Sequence, residues 1–116
     1  MVSTSCIFCR IIEKQIPAKI IAETNDVLAF HDIAPVAPVH VLVVPKVHVA
    51  SINDLGPENA QIGSAMMMMA QQLARELAVD ISGFRLVINT QEAAGQTVDH
   101  LHMHLMGGRS LSWPPG

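Results

Sequence analysis

The sequence predicts an α+β fold, with about five strands in one sheet, one long helix and one short helix. Three stretches lead there. Residues 99–106, Asp-His-Leu-His-Met-His-Leu-Met, alternate polar and apolar side chains as a strand does. His40 to Pro45 is a near-continuous apolar run, the mark of a central strand with both faces covered. Between Gly56 and about Ala78, the residues Ile62, Met66, Met69, Leu73 and Leu77 recur at steps of three and four, one stripe of a core-facing helix.

The whole chain sets the frame. Its 116 residues fit one domain, spanning 1–116, able to bury roughly two-thirds of the unfolded surface. Half of the residues are hydrophobic and only 15% are charged, which favours a folded globule over disorder. A net charge of −3 offers no bulk attraction for nucleic acid or an anionic membrane. No apolar run reaches membrane-spanning length, the start lacks the pattern of a signal peptide, and the cysteines number two. The expectation is a cytoplasmic protein. The apolar surplus in so short a chain points to a buried oligomer interface.

The elements follow in order. Phe8, Ile11 and Ile12 have helical spacing, so a short helix opens the ordered part and Gln15-Ile16-Pro17-Ala18 breaks it. Lys19–Glu23 and Val27–His31 read as strands joined by the turn Thr24-Asn25-Asp26, an antiparallel hairpin. Pro35 and Pro38 hold Asp32–Pro38 as a rigid extended loop before the central strand. Ser51 or Asn53 caps a short turn, and Pro57 and Glu58 suit the first turn of the long helix. Met66 to Met69 surround that helix, so some are core and some are available to a partner subunit. Phe84–Asn89 is another strand, Thr90–Gln96 is a flexible loop, and the histidine strand ends at Gly107-Gly108-Arg109.

Half of the six histidines lie in the alternating stretch. On a strand, His100, His102 and His104 share one face with neighbours roughly 6–7 Å apart. Burying three semi-polar rings side by side needs three sets of partners, so a functional site is the better account. Two chemistries suit it. A zinc hydrolase takes His100 and His102 with a third ligand and leaves a position for water. Phosphate chemistry uses one neutral imidazole as nucleophile, which approaches an anionic phosphorus without charge repulsion, while the others donate to phosphate oxygens and the leaving group. Gly95-Gln96-Thr97, just upstream, combines close backbone approach with donors and favours the phosphate reading. Asp32 and Asn89, at strand ends, suit the vicinal hydroxyls of a sugar. Cys6-x-x-Cys9 is either a pair of buried thiols or half of a zinc site, with His48 and His100 as candidate partners. In the second case His100 is structural and His102 is left for catalysis.

Residues 100–106 match the signature His-φ-His-φ-His-φ-φ, with φ apolar, and resemble the histidine triad (HIT) superfamily. Ile16–Ile21, Ala29–Pro35, Pro38-Val39-His40, Val44-Pro45-Lys46-x-His48, Gly95-Gln96 and Trp113-Pro114-Pro115-Gly116 are similar to its Hint branch of nucleotide-binding phosphoramidases. The resemblance implies a HIT-like fold with a five-stranded antiparallel sheet, two protomers joining into a ten-stranded sheet, and a tail at 109–116 that extends toward the partner. It implies hydrolysis of adenosine or guanosine 5′-phosphoramidates to the nucleoside monophosphate and an amine. Carried across, His102 is the nucleophile, His104 contacts phosphate and assists the leaving group, and His40 forms a supporting relay with His100. Gly95, Gln96 and Thr97 cradle the α-phosphate, Asp32 and Asn89 hold the ribose region, and Ile7, Phe8, Ile11, Phe30 and Ile33 line the base pocket. Trp113 reaches toward the partner's site. Thr97 stands where relatives from higher organisms usually have Ser, which keeps the hydroxyl. Those relatives lack one or both cysteines, whereas many bacterial ones carry Cys-x-x-Cys. Cys6, Cys9, His48 and His100 fit the zinc-holding variant, with zinc structural and no cofactor needed for the chemistry; that variant competes with the relay role of His100. The alternatives are a nucleotide-binding interaction protein with incidental hydrolysis, and a dinucleoside polyphosphate hydrolase.

Overall fold

A computed structural model describes residues 5–116. Within them a five-stranded antiparallel sheet is built from β1 (Ile20–Glu23), β2 (Val27–His31), β3 (Val39–Pro45), β4 (Phe84–Val87) and β5 (Met103–Gly107), in the order β1-β2-β3-β5-β4. A short helix α1 (Ile7–Ile12) and a long helix α2 (Gln61–Glu76) complete it.

The apolar run at 40–45 becomes the middle strand because its alternate residues feed two cores. Val41 and Val43 pack with Val27, Ala29, Met103 and Leu105 against Met66, Met69, Ala70 and Leu73 of α2. Leu42 and Val44 face the other way and pack with Leu28, Phe30, Phe8 and Ile11 under α1. The helical stripe is the buried one: Ile62, Met66, Met69 and Leu73 are covered, while Met67 and Met68 are more than half exposed.

Three boundaries differ from the sequence expectation. The long helix begins at Gln61, because Asn59 turns its side-chain oxygen back to the Gly56 N–H (2.8 Å) and closes a separate 3₁₀ turn over Pro57–Asn59. The strand expected to reach Asn89 ends at Val87, opposite His104. The histidine stretch is a strand only from Met103 onward. Before that point Leu101 N–H bonds the Val49 carbonyl (2.6 Å), so the chain leaves the ladder and lies against the segment after β3. Leu101, Met103 and Leu105 nevertheless all reach the α2-side core, so the alternation survives where the ladder does not.

Ser51 caps the turn after β3 by accepting from Asn53 N–H at 3.1 Å. No helix among the described residues is long and apolar enough to cross a membrane.

Candidate active site and metal centre

The α1 face of the sheet, marked by Leu42, carries His40 and His104. Leu42 pairs with His104 and His40 with Met106, so His40 and His104 are diagonal neighbours on one face. His40 Nε2 lies 2.9 Å from His104 Nδ1. The His104 ring stands 5.2 Å from that of His102, centroid to centroid, and the Phe8 ring sets its edge against His102 at 5.1 Å. His102, His104 and His40 are thus gathered, but His40 reaches His104 and not His102.

The hydrogen bonds assign the tautomers. His102 Nδ1 is 2.7 Å from the His100 carbonyl oxygen, which can only accept, so the proton is on Nδ1 and the Nε2 lone pair is free to react. Val36 N–H donates to His40 Nδ1 at 3.1 Å, so His40 carries its proton on Nε2 and donates it to His104 Nδ1. His104 therefore bears its proton on Nε2. Burial, with His102 and His40 alongside, lowers the His104 pKa to about 4, and Asp32 opposes this. At neutral pH His104 is an uncharged donor.

Asp32, His40 and His104 also present three possible metal-ligand atoms. The set does not suit a cation, because the Val36 N–H keeps the proton on the His40 nitrogen that would have to ligate.

The other cluster does suit one. Cys6, Cys9, His48 and His100 offer four ligand atoms within 4.8 Å of one another, and Cys6, Cys9 and His100 are buried. His100 Nε2 donates to the Pro45 carbonyl at 2.9 Å, which leaves its Nδ1 lone pair aimed at the cluster. That nitrogen is 3.3 Å from Cys6 Sγ, 3.6 Å from Cys9 Sγ and 3.1 Å from His48 Nδ1, and Cys9 Sγ is 3.2 Å from His48 Nδ1. Tetrahedral zinc with thiolate and imidazole ligands has edges of about 3.3–3.8 Å. Two sulfurs and two nitrogens at these spacings, one nitrogen already fixed in the ligating tautomer, match a closed structural site. Desolvation lowers the His100 pKa to about 4, keeping the lone pair unprotonated. The zinc hydrolase arrangement, with His100 and His102 on one ion, is not formed: the Nδ1 of one faces the thiols and that of the other faces a carbonyl.

The remaining predicted residues occupy several different surroundings. Asp32 accepts from Ala34 N–H at 2.8 Å and lies 3.5 Å from His40 Nε2. It lines a cavity of about 690 Å³ with Lys19, His31, Ile33, Pro35 and His40 among others. His31, absent from the sequence-based set, belongs to this wall; its position at the end of β2, beside Asp32, was the available signal. Ile33 is almost wholly exposed and Ile7 about half. Phe8, Ile11 and Phe30 are buried in the α1-side core, with Phe8 and Phe30 edge to face at 5.6 Å. Asn89 is half-buried. Gly95 is in the left-handed region at φ 89°, closing the loop before Thr97. Thr97 borders a separate cavity of about 360 Å³ beside Cys6 and His48. The Gln96 amide is committed: it donates to the Ala50 (2.7 Å) and Val98 (3.0 Å) carbonyls and accepts from Gln91 N–H (2.8 Å). It shapes the loop and has no donor left to offer. Trp113 is 82% exposed, on a tail that Arg85 holds at the Leu111 (3.2 Å) and Ser112 (2.8 Å) carbonyls.

An antiparallel sheet thus gathers three tautomer-fixed imidazoles, with His40 at the wall of a cavity. Residues 13–111 match the HIT domain model, and the chain belongs to that family. An uncharacterized HIT-like protein of Synechococcus elongatus is 46% identical over 98% of this chain and 99% of its own. A HIT family hydrolase from Legionella pneumophila superposes with a TM-score of 0.94 at 42% identity, covering 97% of this chain and all of that one. A histidine triad nucleotide-binding protein from Candida albicans superposes at 0.81 and 33% identity, over 95% of this chain and 83% of its own.

Proposed function

We propose that this chain is a purine nucleoside phosphoramidase of the Hint type, hydrolysing the P–N bond of adenosine or guanosine 5′-phosphoramidates. The observation that carries this reading is the His102 orientation, with Nδ1–H held by the His100 carbonyl and Nε2 left to react, beside a second imidazole that donates. The Legionella relative described as a HIT family hydrolase and the Candida relative described as nucleotide-binding support it.

Two displacements at phosphorus account for the reaction. The substrate nitrogen first takes up one proton from solvent, because His104 is neutral and serves as a hydrogen-bond donor to the phosphoryl oxygens. His102 Nε2 attacks phosphorus, the P–N bond breaks with its electron pair on nitrogen, and the neutral amine departs. Positive charge develops on the His102 ring, and the His100 carbonyl on Nδ1–H stabilises it. Water then attacks phosphorus, the P–Nε2 bond breaks, and the proton taken up at the start is released. The products are the nucleoside monophosphate and the amine.

In this reading Asp32 and Asn89 take the ribose. The Gly95–Thr97 loop takes the α-phosphate through the Thr97 N–H and hydroxyl, because the Gly95 and Gln96 N–H groups already donate to the Glu92 and Gln91 carbonyls. Ile33 and Ile7 flank the base over a floor of Phe8, Ile11 and Phe30. Zinc held by Cys6, Cys9, His48 and His100 would be structural, and those ligands would tie down the segment whose carbonyl orients His102. Two protomers joined into a ten-stranded sheet would set each tail, with Trp113, toward the partner's cavity.

Turnover measured side by side on adenosine 5′-phosphoramidate and on diadenosine polyphosphate tests the assignment. The phosphoramidate is expected to be the faster substrate. Preferential cleavage of the polyphosphate would move the chain to the neighbouring branch, and binding without turnover of either would make it a nucleotide-binding interaction protein.

A further inference from the structure

Arg109 lies just beyond β5, and its guanidinium is turned back toward the loop between β2 and β3. Nε donates to the Val36 carbonyl at 3.0 Å and Nη1 to the Ser110 carbonyl at 2.9 Å. The neighbouring Gly108 is at φ 89°, and a Cβ there would fall 2.9 Å from Pro38 Cβ, so the end of β5 passes directly against the last proline of the loop. The loop is therefore gripped at Val36 and at Pro38.

Both backbone groups of Val36 are in use. Its carbonyl accepts from Arg109, and its N–H donates to His40 Nδ1. The second bond decides which nitrogen of His40 carries the proton, and His40 in turn decides it for His104. We propose that Arg109 is a positioning residue for the His40–His104 pair, holding Val36 so that His104 presents N–H and not a lone pair on Nε2.

The physical argument is one of alternatives. If Val36 drifts, His40 Nδ1 is free to take the proton, and its Nε2 becomes an acceptor. His104 then has to donate from Nδ1 to keep the 2.9 Å bond, which leaves Nε2 without a hydrogen. A neutral imidazole in that tautomer offers a phosphoryl oxygen only a repelling lone pair. The catalytic consequence rests on the phosphoramidase reading; the tautomer assignment does not. Lysine is a poor substitute, because one ammonium on a flexible stem does not reproduce the planar fork that spans the Val36 and Ser110 carbonyls.

The test is ¹⁵N NMR of the imidazoles in the labelled full chain, comparing wild type with Arg109→Ala and Arg109→Lys. Arg85→Ala serves as a control that frees the tail carbonyls at Leu111 and Ser112 without touching Val36. Wild type is expected to show Nδ1 as the acceptor-type nitrogen on both His40 and His104. In Arg109→Ala both rings are expected to become tautomeric mixtures while His102 is unchanged, with Arg109→Lys intermediate and Arg85→Ala like wild type. With phosphoramidate, kcat of Arg109→Ala should fall on the order of tenfold, part of what a positioned acid–base group contributes, with KM little changed. Wild-type tautomers at His40 and His104 in Arg109→Ala would overturn the proposal. So would an equal effect of Arg85→Ala, which would make it a matter of general tail loosening. An inactive wild type would overturn the reading of the reaction, and the tautomers would still decide the role of Arg109.

Discussion

His102 Nδ1 sits 2.7 Å from the carbonyl oxygen of His100, while the His100 ring turns away to the Cys6–Cys9 pair. One residue therefore serves two neighbours through different atoms. Its backbone fixes the tautomer of His102, and its side chain ties that backbone to the metal-ligand cluster. The three alternating histidines consequently have three environments: thiols around His100, a carbonyl behind His102, and His40 behind His104.

The metal cluster gives the first prediction. Protein purified without added metal should contain about one zinc per chain, and Cys9→Ser should lose it with a lower melting temperature. His102 should still be present in a folded protein but less well oriented, so kcat should fall more than nucleotide affinity. A zinc-free wild type with two reactive thiols would retire the metal assignment.

Acid sensitivity follows from His104. Its folded-state pKa is about 4 against 6.5 for the free side chain, so between these values the unfolded chain binds more protons. The contribution of this site to stability is complete above about 6.5 and is lost as pH falls toward 4. Urea unfolding at pH 7 and pH 5 should show a smaller pH-dependent loss for His104→Gln than for wild type. An identical loss in both would mean that His104 does not set the slope.

Gln96 makes a structural prediction. Its three hydrogen bonds are worth about 0.5–1.5 kcal/mol each, so Gln96→Ala should destabilise by about 1.5–4.5 kcal/mol and loosen residues 90–98 selectively. Amide exchange should accelerate there and not in β3. Uniform acceleration would point to a global effect.

Leu105 is fully buried between Val41 and Leu86 on the α2 side. Leu105→Ala should cost about 2–5 kcal/mol in chemical denaturation. A cost below about 1 kcal/mol would show that the sheet collapses around the gap or that this face is less tightly packed.

Much of this architecture was legible in the residues. The continuity of 40–45 meant a strand covered on both faces, and Val41 and Leu42 now lie in different cores. The stripe Ile62–Leu73 gave the buried face of α2, because helical period alone decides it. Where β5 starts was not legible, since that depends on the tertiary bonds of Leu101 to Val49 and of His100 to Pro45. Gln96 looked like a phosphate donor for a related reason. Sequence displays its donors but not the Ala50 carbonyl, 46 residues away, that occupies one of them. Likewise, alternation placed the histidines on one face without saying that Val36 N–H and the His100 carbonyl assign their protons.

The central claim is that His102 Nε2 is the nucleophile, and one comparison tests it most directly. Wild type and His102→Ala are mixed with adenosine 5′-phosphoramidate, turnover is followed, and protein quenched in alkaline denaturant, where the P–N bond to imidazole survives, is weighed by mass spectrometry. Wild type should turn over and carry an adenylyl group on His102, and the variant should lose at least about 10³-fold in kcat and show no adduct. Turnover that persists in His102→Ala would contradict the account.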